Sequence, residues 1–406
     1  MSSGEPDLLS AQGSSRWRAV PKGVWALGFV SLFMDVSSEM IHALLPVFLV
    51  TVVGASTLTV GVIEGVAEAT ASIVKIFSGT LSDWTGRRKL LTVLGYGLGA
   101  LSKPLFPLAS SASLVMAARF VDRIGKGIRG APRDALVGDL SPPQVRGAAY
   151  GLRQSLDTVG AFAGPLLAII FMAWSGGNFR LVFWIAVVPA LISVSILVLS
   201  VKEPKRSIPS GQASSPIHRD ELQRLTPAFW RLVAVATVLT LARFSEAFLI
   251  LRAQSLGLTA TLAPLVLVVM NIIYALSAYP VGALSDRKEP KTLLCLGFGA
   301  LIIADLLLAA ATNLWIAMLG IGLWGLHMGM TQGLFAALIA ETVPSDRRGT
   351  AFGIFNLTGG VALLVASFLA GALWDAFGAG ATFLAGAALT MAGLLGTMAL
   401  VQRRGA

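Results

Sequence analysis

The feature that most constrains this chain is a succession of apolar runs, each close to the length that crosses a lipid bilayer. A transmembrane helix needs about 20 mostly apolar residues. Twelve such runs follow one another, over residues 24–52, 58–81, 90–109, 113–137, 147–173, 179–200, 229–252, 260–284, 291–311, 314–340, 350–375 and 379–401. Only 13% of the 406 residues are charged, whereas roughly 25% are charged in an average soluble domain. The sequence therefore predicts an all-α membrane protein with 12 transmembrane helices.

The basic residues between the runs predict which side of the membrane each loop occupies. Lys and Arg concentrate before the first run and after the even-numbered runs, whereas the alternate loops carry almost none. Cytoplasmic loops carry the excess of Lys and Arg, so both termini are predicted to be cytoplasmic, in the inner membrane of the cell. The formal net charge of +10 has the same explanation, and we expect no nucleic-acid partner.

Two sequence motifs recur at nearly the same offset, which predicts two related halves. GTLSDWTGRRK at 79–89 returns as GALSDRKEPK at 282–291, and RGAAYGLRQS at 146–155 returns as RGTAFGIFNL at 348–357. The connection between the halves contains prolines, serines and mixed charge, as is typical of a linker. The predicted organisation is an N-terminal tail at 1–23, a six-helix bundle at 24–200, a cytoplasmic linker at 201–228, a second six-helix bundle at 229–401 and a tail at 402–406.

The stretch from residue 119 to residue 139, which covers most of the fourth run, is unusual because it carries many charges. Arg119, Asp122 and Lys126 follow the three-four spacing that places side chains on one face of a helix. A charge at the bilayer centre costs at least about 2.5–3.5 kcal/mol, so this face cannot point at lipid. It must line a polar cavity or pair with acids on neighbouring helices. Arg129 and Arg133, nearer the predicted cytoplasmic end, are expected to snorkel or to pair at a gate.

The first of the two motifs resembles a known family signature. Gly79-Thr-Leu-Ser-Asp-Trp-Thr-Gly-Arg-Arg-Lys89 is similar to the loop between helices 2 and 3 of the major facilitator superfamily, G-x-L-[SA]-D-x-x-G-R-[RK]-[RK]. The resemblance implies that Asp83 and Arg87 hold the cytoplasmic side closed, with Asp134 or Asp139 as partners. The alternative is that the basic loop only sets topology. The second copy keeps Asp286 and Arg287 but lacks the following glycine and basic run.

Two further motifs resemble the same superfamily. The segment that begins at Arg119 is similar to the fourth-helix pattern R-x-x-Q-G-x-G-x-G, although Asp122 and Arg123 depart from it. On the fifth run, GAFAGP at 160–165 matches G-x-x-x-G-P, the core of a motif that marks antiporters in this superfamily. Physically, its glycines allow a close helix crossing and its proline bends the helix. The gating candidates are Gly79, Asp83, Gly86, Arg87, Arg88, Asp134, Gly160, Gly164, Pro165, Asp286 and Arg287.

The resemblance implies a secondary transporter in which two six-helix bundles rock about one central site. Helices 1, 2, 4, 5, 7, 8, 10 and 11 are expected to surround the cavity, with the other four outside. We expect proton-coupled efflux of a small organic solute. The alternatives are uptake or exchange of an anionic metabolite through a basic central cavity, and a receptor or scaffold that transports nothing. No nucleotide-binding P-loop or metal cluster is recognisable, so we expect a monomeric non-enzyme with no cofactor.

Acidic residues inside the apolar runs are candidates for proton coupling. Asp35 and Glu39 share one face of the first run, and Glu64 and Glu68 share one face of the second. Burial favours the neutral form of a carboxyl group, whereas a neighbouring arginine favours the ionised form, so these groups can take up and release protons. The candidates are Asp35 and Glu39 first, followed by Glu64, Glu68, Asp157 and Glu246.

Other polar residues inside the runs could contact the solute. Arginine and lysine would bind an anionic group, and asparagine amides would form hydrogen bonds with a polar one. Each also has a structural interpretation, because basic groups can be neutralised by buried acids, and histidine or asparagine can hold helices together. The predicted substrate-binding candidates are Arg119, Asp122, Arg123, Lys126, His42, Arg153, Arg243, Asn271 and Asn356.

Overall fold

The computed structural model describes residues 20–203, 225–285, 290–343 and 348–402, and all regular secondary structure in these ranges is helical. The first half contains α-helices Lys22–His42, Leu45–Thr51, Thr57–Thr85, Arg88–Ser102, Leu105–Leu108, Ala112–Leu140, Arg146–Trp174 and Phe179–Ser200. The second half contains Pro227–Ala242, Ala247–Ser255, Leu265–Ser285, Pro290–Ala310, Leu314–Thr342, Arg348–Phe377 and Ala379–Gln402. Short 3₁₀ turns lie at Pro143–Val145 and Ala260–Leu262.

Joining the interrupted helices of the described ranges gives twelve spans, which are numbered in chain order. The helix of span 1 is interrupted just before Pro46, and that of span 3 is interrupted at Pro104. The helix of span 7 is interrupted between Arg243 and Glu246. At the first two breaks a proline has no N–H to continue the helical hydrogen bonds. In the described ranges, eight helices qualify as membrane-crossing by length and composition alone, and the charged span 4 does not. The predicted twelve-helix fold is confirmed.

Local sequence explains where several spans begin and end. Helix starts leave backbone N–H groups without helical partners, and a polar side chain at the cap position accepts a hydrogen bond from one of them. At the end of span 2, Gly86 has a φ of 65°, a left-handed conformation that glycine adopts without steric cost. The side-chain caps are Ser56, Ser111, Asn178, Thr226 and Asn313.

The two halves pack closely at one end of the bundle. Consecutive spans alternate in direction, so Lys22 and Gln402 share one side, which we call the terminal side, and the opposite side is the far side. On the far side, Val47 of span 1 is buried in one apolar cluster with Phe248 of span 7. The carboxylate of Asp375, at the end of span 11, accepts hydrogen bonds from the backbone N–H groups of Thr57 and Leu58 at 3.1 and 3.0 Å. These contacts close the far side between the halves.

Candidate functional site

A cavity of about 670 Å³ lies between the two halves. It extends from the middle of the spans toward the terminal side, away from the closed far side. Its lining comes from spans 1, 2, 4, 5, 8 and 11, and in the described residues no outer span contributes to it. Its polar lining residues are Asp35, Glu39, Glu68, Ser72, Lys75, Lys126, Arg129, Arg133, Asp134, Gln154, Asp157, Thr158, Asn271, Tyr274 and Asn356. The structure thus brings acids from the first, second, fourth and fifth spans to one chamber.

The lining is nearly balanced in charge, with five acidic and four basic side chains. This balance differs from the basic central cavity that the anionic-metabolite alternative required. The acids are Asp35, Glu39, Glu68, Asp134 and Asp157, and the bases are Lys75, Lys126, Arg129 and Arg133.

Asp35 and Glu39, the first choices for proton coupling, have different surroundings. The side chain of Asp35 makes no hydrogen bond and no ion pair with any residue that the structure describes. Glu39, one turn further along span 1, lies 3.4 Å from Nδ1 of His42. Both carboxyl groups line the cavity, but only Asp35 lacks a protein partner within the described chain. It is therefore the acid whose charge state is freest to respond to the contents of the cavity.

The G-x-x-x-G motif of span 5 packs directly against these two acids. A Cβ atom added to Gly160 would lie 2.7 Å from the Leu32 carbonyl oxygen and 3.0 Å from Cβ of Asp35. One added to Gly164 would lie 2.7 Å from Cβ of Glu39. Such distances exclude any side chain, so the glycines are required for the close crossing of spans 1 and 5. Pro165 follows inside the same helix.

A buried ion-pair network lies on the far side of the cavity. A guanidinium nitrogen of Arg119 lies 2.7 Å from Glu64, and Nε2 of His42 lies 3.6 Å from the same carboxylate. His42 also contacts Glu39, so the network reaches the cavity wall. Arg119 and Glu64 are only 2% and 1% exposed. The sequence left open whether this part of span 4 lines a cavity or pairs with acids, and at Arg119 the structure has the pairing.

The adjacent charges of span 4 are also paired rather than free to contact a solute. Arg123 lies 3.2 Å from Glu68, and Asp122 lies 2.8 Å from Nζ of Lys103, which also donates to Ser38 at 2.9 Å. Arg119, Asp122 and Arg123 are absent from the described lining of the cavity. Lys126, one turn later, does line it.

Arg129 and Arg133, which were expected to snorkel or to pair at a gate, both line the cavity. The guanidinium of Arg129 lies 4.6 Å from the ring centre of Tyr96, which is a cation–π distance. Arg133 donates to the hydroxyl of Ser31 at 3.0 Å and pairs with Asp134 at 3.1 Å. These contacts inside the bundle stabilise the charges of the two arginines.

A cluster of charges joins spans 4 and 5 near the terminal side. Arg153 lies 2.6 Å from Asp157 and 3.6 Å from Asp134, which is also the partner of Arg133. Arg153 was predicted to bind substrate, but its described contacts are to these acids, and Asp157 and Asp134 face the cavity. Asp134 therefore connects spans 4 and 5.

In the loop between spans 2 and 3, the described ion pair is made by Arg88 rather than Arg87. A guanidinium nitrogen of Arg88 lies 2.5 Å from Asp139 and donates to the Ala135 carbonyl at 3.0 Å, whereas Arg87 is exposed. Gly79, on span 2, faces the methyl group of Ala131. The side chain of Asp83, together with Asp286 and Arg287, lies outside the described part of the chain.

The second half contributes mainly uncharged groups to the central cavity, among them Asn271 and Asn356. Arg243 instead lines a separate chamber of about 230 Å³ inside this half. Glu246 immediately precedes the helix Ala247–Ser255 and lines neither cavity in the described chain.

Lys75 of span 2 lines the central cavity but was not among the predicted sites. It lies one turn beyond Ala71 and two turns beyond Glu68 on the same helical face, a spacing visible in the sequence.

The chain is similar to known proteins along nearly its whole length. The sequence profile of the Major Facilitator Superfamily matches residues 27–252 and 245–405. An uncharacterized MFS-type transporter of Methanocaldococcus jannaschii is 33% identical over 385 residues, which cover 93% of this chain and 95% of the relative. The quinolone resistance protein NorA of Staphylococcus aureus is 24% identical over 220 residues, 54% of each chain. Among solved structures, the nucleoside transporter NupG superposes with a TM-score of 0.76 at 13% identity, over 94% of this chain and 99% of that chain.

Proposed function

The chain belongs to the major facilitator superfamily of transporters, and from this premise we propose that it exports a small organic solute in exchange for protons. The proposed location is the inner membrane, with the terminal side in the cytoplasm, as the distribution of basic loops indicates. In this orientation the cavity accepts solute from the cytoplasm while the far side is closed.

The observation that carries the proposal is the position of Asp35. Its carboxyl group lines the central cavity and has no hydrogen-bonding or ionic partner among the described residues. Lys126 and Arg129 line the same chamber. The net charge of the cavity therefore depends on whether Asp35 is ionised or protonated. Binding of a solute and binding of a proton then influence each other, and this influence is reciprocal by linkage.

Movement of the halves can be linked to Asp35 through span 5. Gly160 and Gly164 cross span 1 beside Asp35 and Glu39, with no side chain between the two helices. A change in the charge or hydration of Asp35 acts directly on this crossing. Spans 1 and 5 are therefore the elements through which protonation would bias the two states of alternating access.

Export rather than uptake is supported by two independent features. The G-x-x-x-G-P motif resembles the antiporter motif of the superfamily, and NorA is named for quinolone resistance. The anionic-uptake alternative relied on Arg119 and Arg123, which are absent from the described cavity lining and are paired with Glu64 and Glu68, respectively.

The test uses purified protein in vesicles with an imposed pH gradient and a quinolone as the first probe. We expect the gradient to drive quinolone transport by the native chain and Asp35→Asn to abolish gradient-driven accumulation while solute exchange without a gradient continues. A variant that loses gradient-driven accumulation but keeps exchange is folded and has lost only the coupling to protons. Glu39→Gln is the matched variant on the same face, with a smaller expected effect because Glu39 already has His42 as a partner. Unchanged gradient-driven transport in Asp35→Asn would contradict the proposal.

A further inference from the structure

The separate chamber in the second half is built from one arginine and a wall of aromatic rings. It has a volume of about 230 Å³ and lies among spans 7, 9, 10 and 11. Its lining includes Arg243 together with Phe298, Phe335 and Phe355. The ring centres of Phe298 and Phe335 are 6.3 Å apart, and those of Phe335 and Phe355 are 6.4 Å apart. Such a wall favours a flat, apolar body packed against it.

The guanidinium of Arg243 makes no hydrogen bond to any described residue, and no described carboxylate lies within 4.0 Å of it, Glu246 included. Arg129 also lacks a described hydrogen bond or ion pair, but it has a cation–π contact with Tyr96, and no such contact is described for Arg243. The side chain is half-buried at the break in span 7, where its own backbone leaves the helical conformation. A cation held at this depth without a partner is unfavourable, and an ionisable residue of this kind indicates a functional site.

The other polar groups of the chamber leave the arginine available to a ligand. The hydroxyls of Thr240 and Thr331 donate to carbonyls of their own helices at 2.8 and 2.9 Å. Nδ1 of His327 lies 2.9 Å from the Gly297 carbonyl oxygen, which places the ring proton on Nδ1. His327 therefore offers Arg243 no negative charge that would compete with an anionic ligand. Gln332 adds an amide to the lining of the chamber.

We infer that this chamber binds the anionic group of the transported solute at Arg243 and its aromatic body against the three phenylalanines. The ligand class is an aromatic monoanion of one or two rings, because the volume is below the roughly 300–1,000 Å³ of sites for drug-sized ligands. A planar guanidinium matches a carboxylate with two parallel hydrogen bonds. Phe355 of the chamber directly precedes Asn356 of the central cavity, so span 11 contributes to the lining of both spaces.

This inference deepens the proposed transport function and rests on it, because it names the class of solute. It assigns different tasks to the two halves, with the proton handled at Asp35 and the anion at Arg243. Binding can be measured without a pH gradient, so failure of the inference is distinguishable from failure of proton coupling.

The experiment measures the binding of 2-naphthoate to the purified full chain by titration calorimetry and thermal unfolding. The neutral isostere 2-naphthamide tests the need for the charge, and acetate tests the need for the rings. We expect saturable binding of 2-naphthoate and at least tenfold weaker binding of both comparison compounds. Equal binding of 2-naphthoate and 2-naphthamide, or no binding of 2-naphthoate, overturns the inference.

Variants locate the site. Arg243→Gln is expected to weaken 2-naphthoate binding at least tenfold, whereas Arg231→Gln, which removes the same charge from an exposed position of the same helix, leaves it unchanged. Phe335→Leu keeps an apolar side chain without the ring and is expected to weaken the binding of 2-naphthoate more than the binding of cyclohexanecarboxylate. This comparison tests the inference even if Arg243→Gln does not fold. Native affinity in a folded Arg243→Gln, or an equal loss for both ligands in Phe335→Leu, contradicts the inference.

Discussion

The two halves share one fold but differ sharply in the charged residues that lie inside their helices. The first half places several acids and bases inside the membrane, and its described ion pairs form separate groups around Arg119, Arg123 and Arg133. In the second half, Arg243 has no described ion-pair partner. At the offset of 202 residues, Arg153 and Asp157 of span 5 correspond to Phe355 and Gly359 of span 11. The two halves therefore share the backbone architecture, while the ion pair of span 5 has no counterpart at the matching positions of span 11.

This difference shows that two halves related by a repeated fold need not carry the same functional groups. Packing of twelve helices depends on apolar surface and on small residues at crossings, and both halves supply these. Ion pairs inside a membrane are costly and need a specific partner for each charge. The halves can consequently diverge in charge without losing the fold.

The largest effect is expected from breaking the most buried pair of the first half. Glu64→Gln leaves Arg119 without its 2.7 Å ionic partner at 2% exposure, so the loss of stability should be about 3–5 kcal/mol. Thermal unfolding of the purified protein measures it. The double variant Glu64→Gln with Arg119→Gln should regain part of the loss, because no charge is then left unpaired. If the single and double variants unfold alike, the two groups are not energetically coupled.

The next effect concerns the crossing of spans 1 and 5, which has no glycine equivalent in the second half. Gly160 and Gly164 correspond to Ala362 and Ala366 on span 11. Gly164→Val should impair transport and destabilise the chain by about 1–3 kcal/mol, because even a Cβ would meet Glu39 at 2.7 Å.

Gly151, on the same helix, is the matched control for that crossing. A Cβ added there meets nothing within 4 Å, so Gly151→Ala should leave stability unchanged or raise it by up to about 1 kcal/mol. Solute transport and thermal unfolding are measured together for both variants. Native behaviour of Gly164→Val would show that the close crossing is not required.

A smaller effect is expected where the two halves meet on the far side. The carboxylate of Asp375 accepts hydrogen bonds from the start of span 2, where the helix carries partial positive charge. Asp375→Asn should weaken this contact by about 0.3–1 kcal/mol and shift the population toward a state open on the far side. Labelling of Val47→Cys by a membrane-impermeant maleimide, in a Cys295→Ser background, should rise up to about fivefold. No change in labelling would remove Asp375 from closure of that side.

The smallest effect separates two neighbouring arginines of the loop between spans 2 and 3. Arg88→Ala should reduce stability measurably, because Arg88 is buried against Asp139, whereas exposed Arg87→Ala should stay within about 0.5 kcal/mol of the native chain. Unfolding midpoints of the two variants provide the comparison. A larger loss for Arg87→Ala would favour the role that the family resemblance implied for it.

Many features of the site could be predicted from sequence because they depend on spacing along one helix. Asp35 and Glu39 share a face by virtue of being four residues apart, and both line the cavity. The same rule placed Arg119, Asp122 and Lys126 on one stripe, yet only Lys126 of the three lines the cavity. Helical spacing specifies a face of a helix but does not specify which neighbouring helix that face meets.

The sequence alone determined the twelve helices and the two related halves, because apolar length and repeated motifs are properties of the chain itself. Only the tertiary structure decided which charges are paired and which face a cavity. Glu64 and Arg119 are 55 residues apart, and Arg243 becomes notable only when its described surroundings contain no acid at ion-pair distance. The physical reason is that ionic energy depends on distances of a few ångströms between helices, and these distances are set by packing rather than by sequence separation.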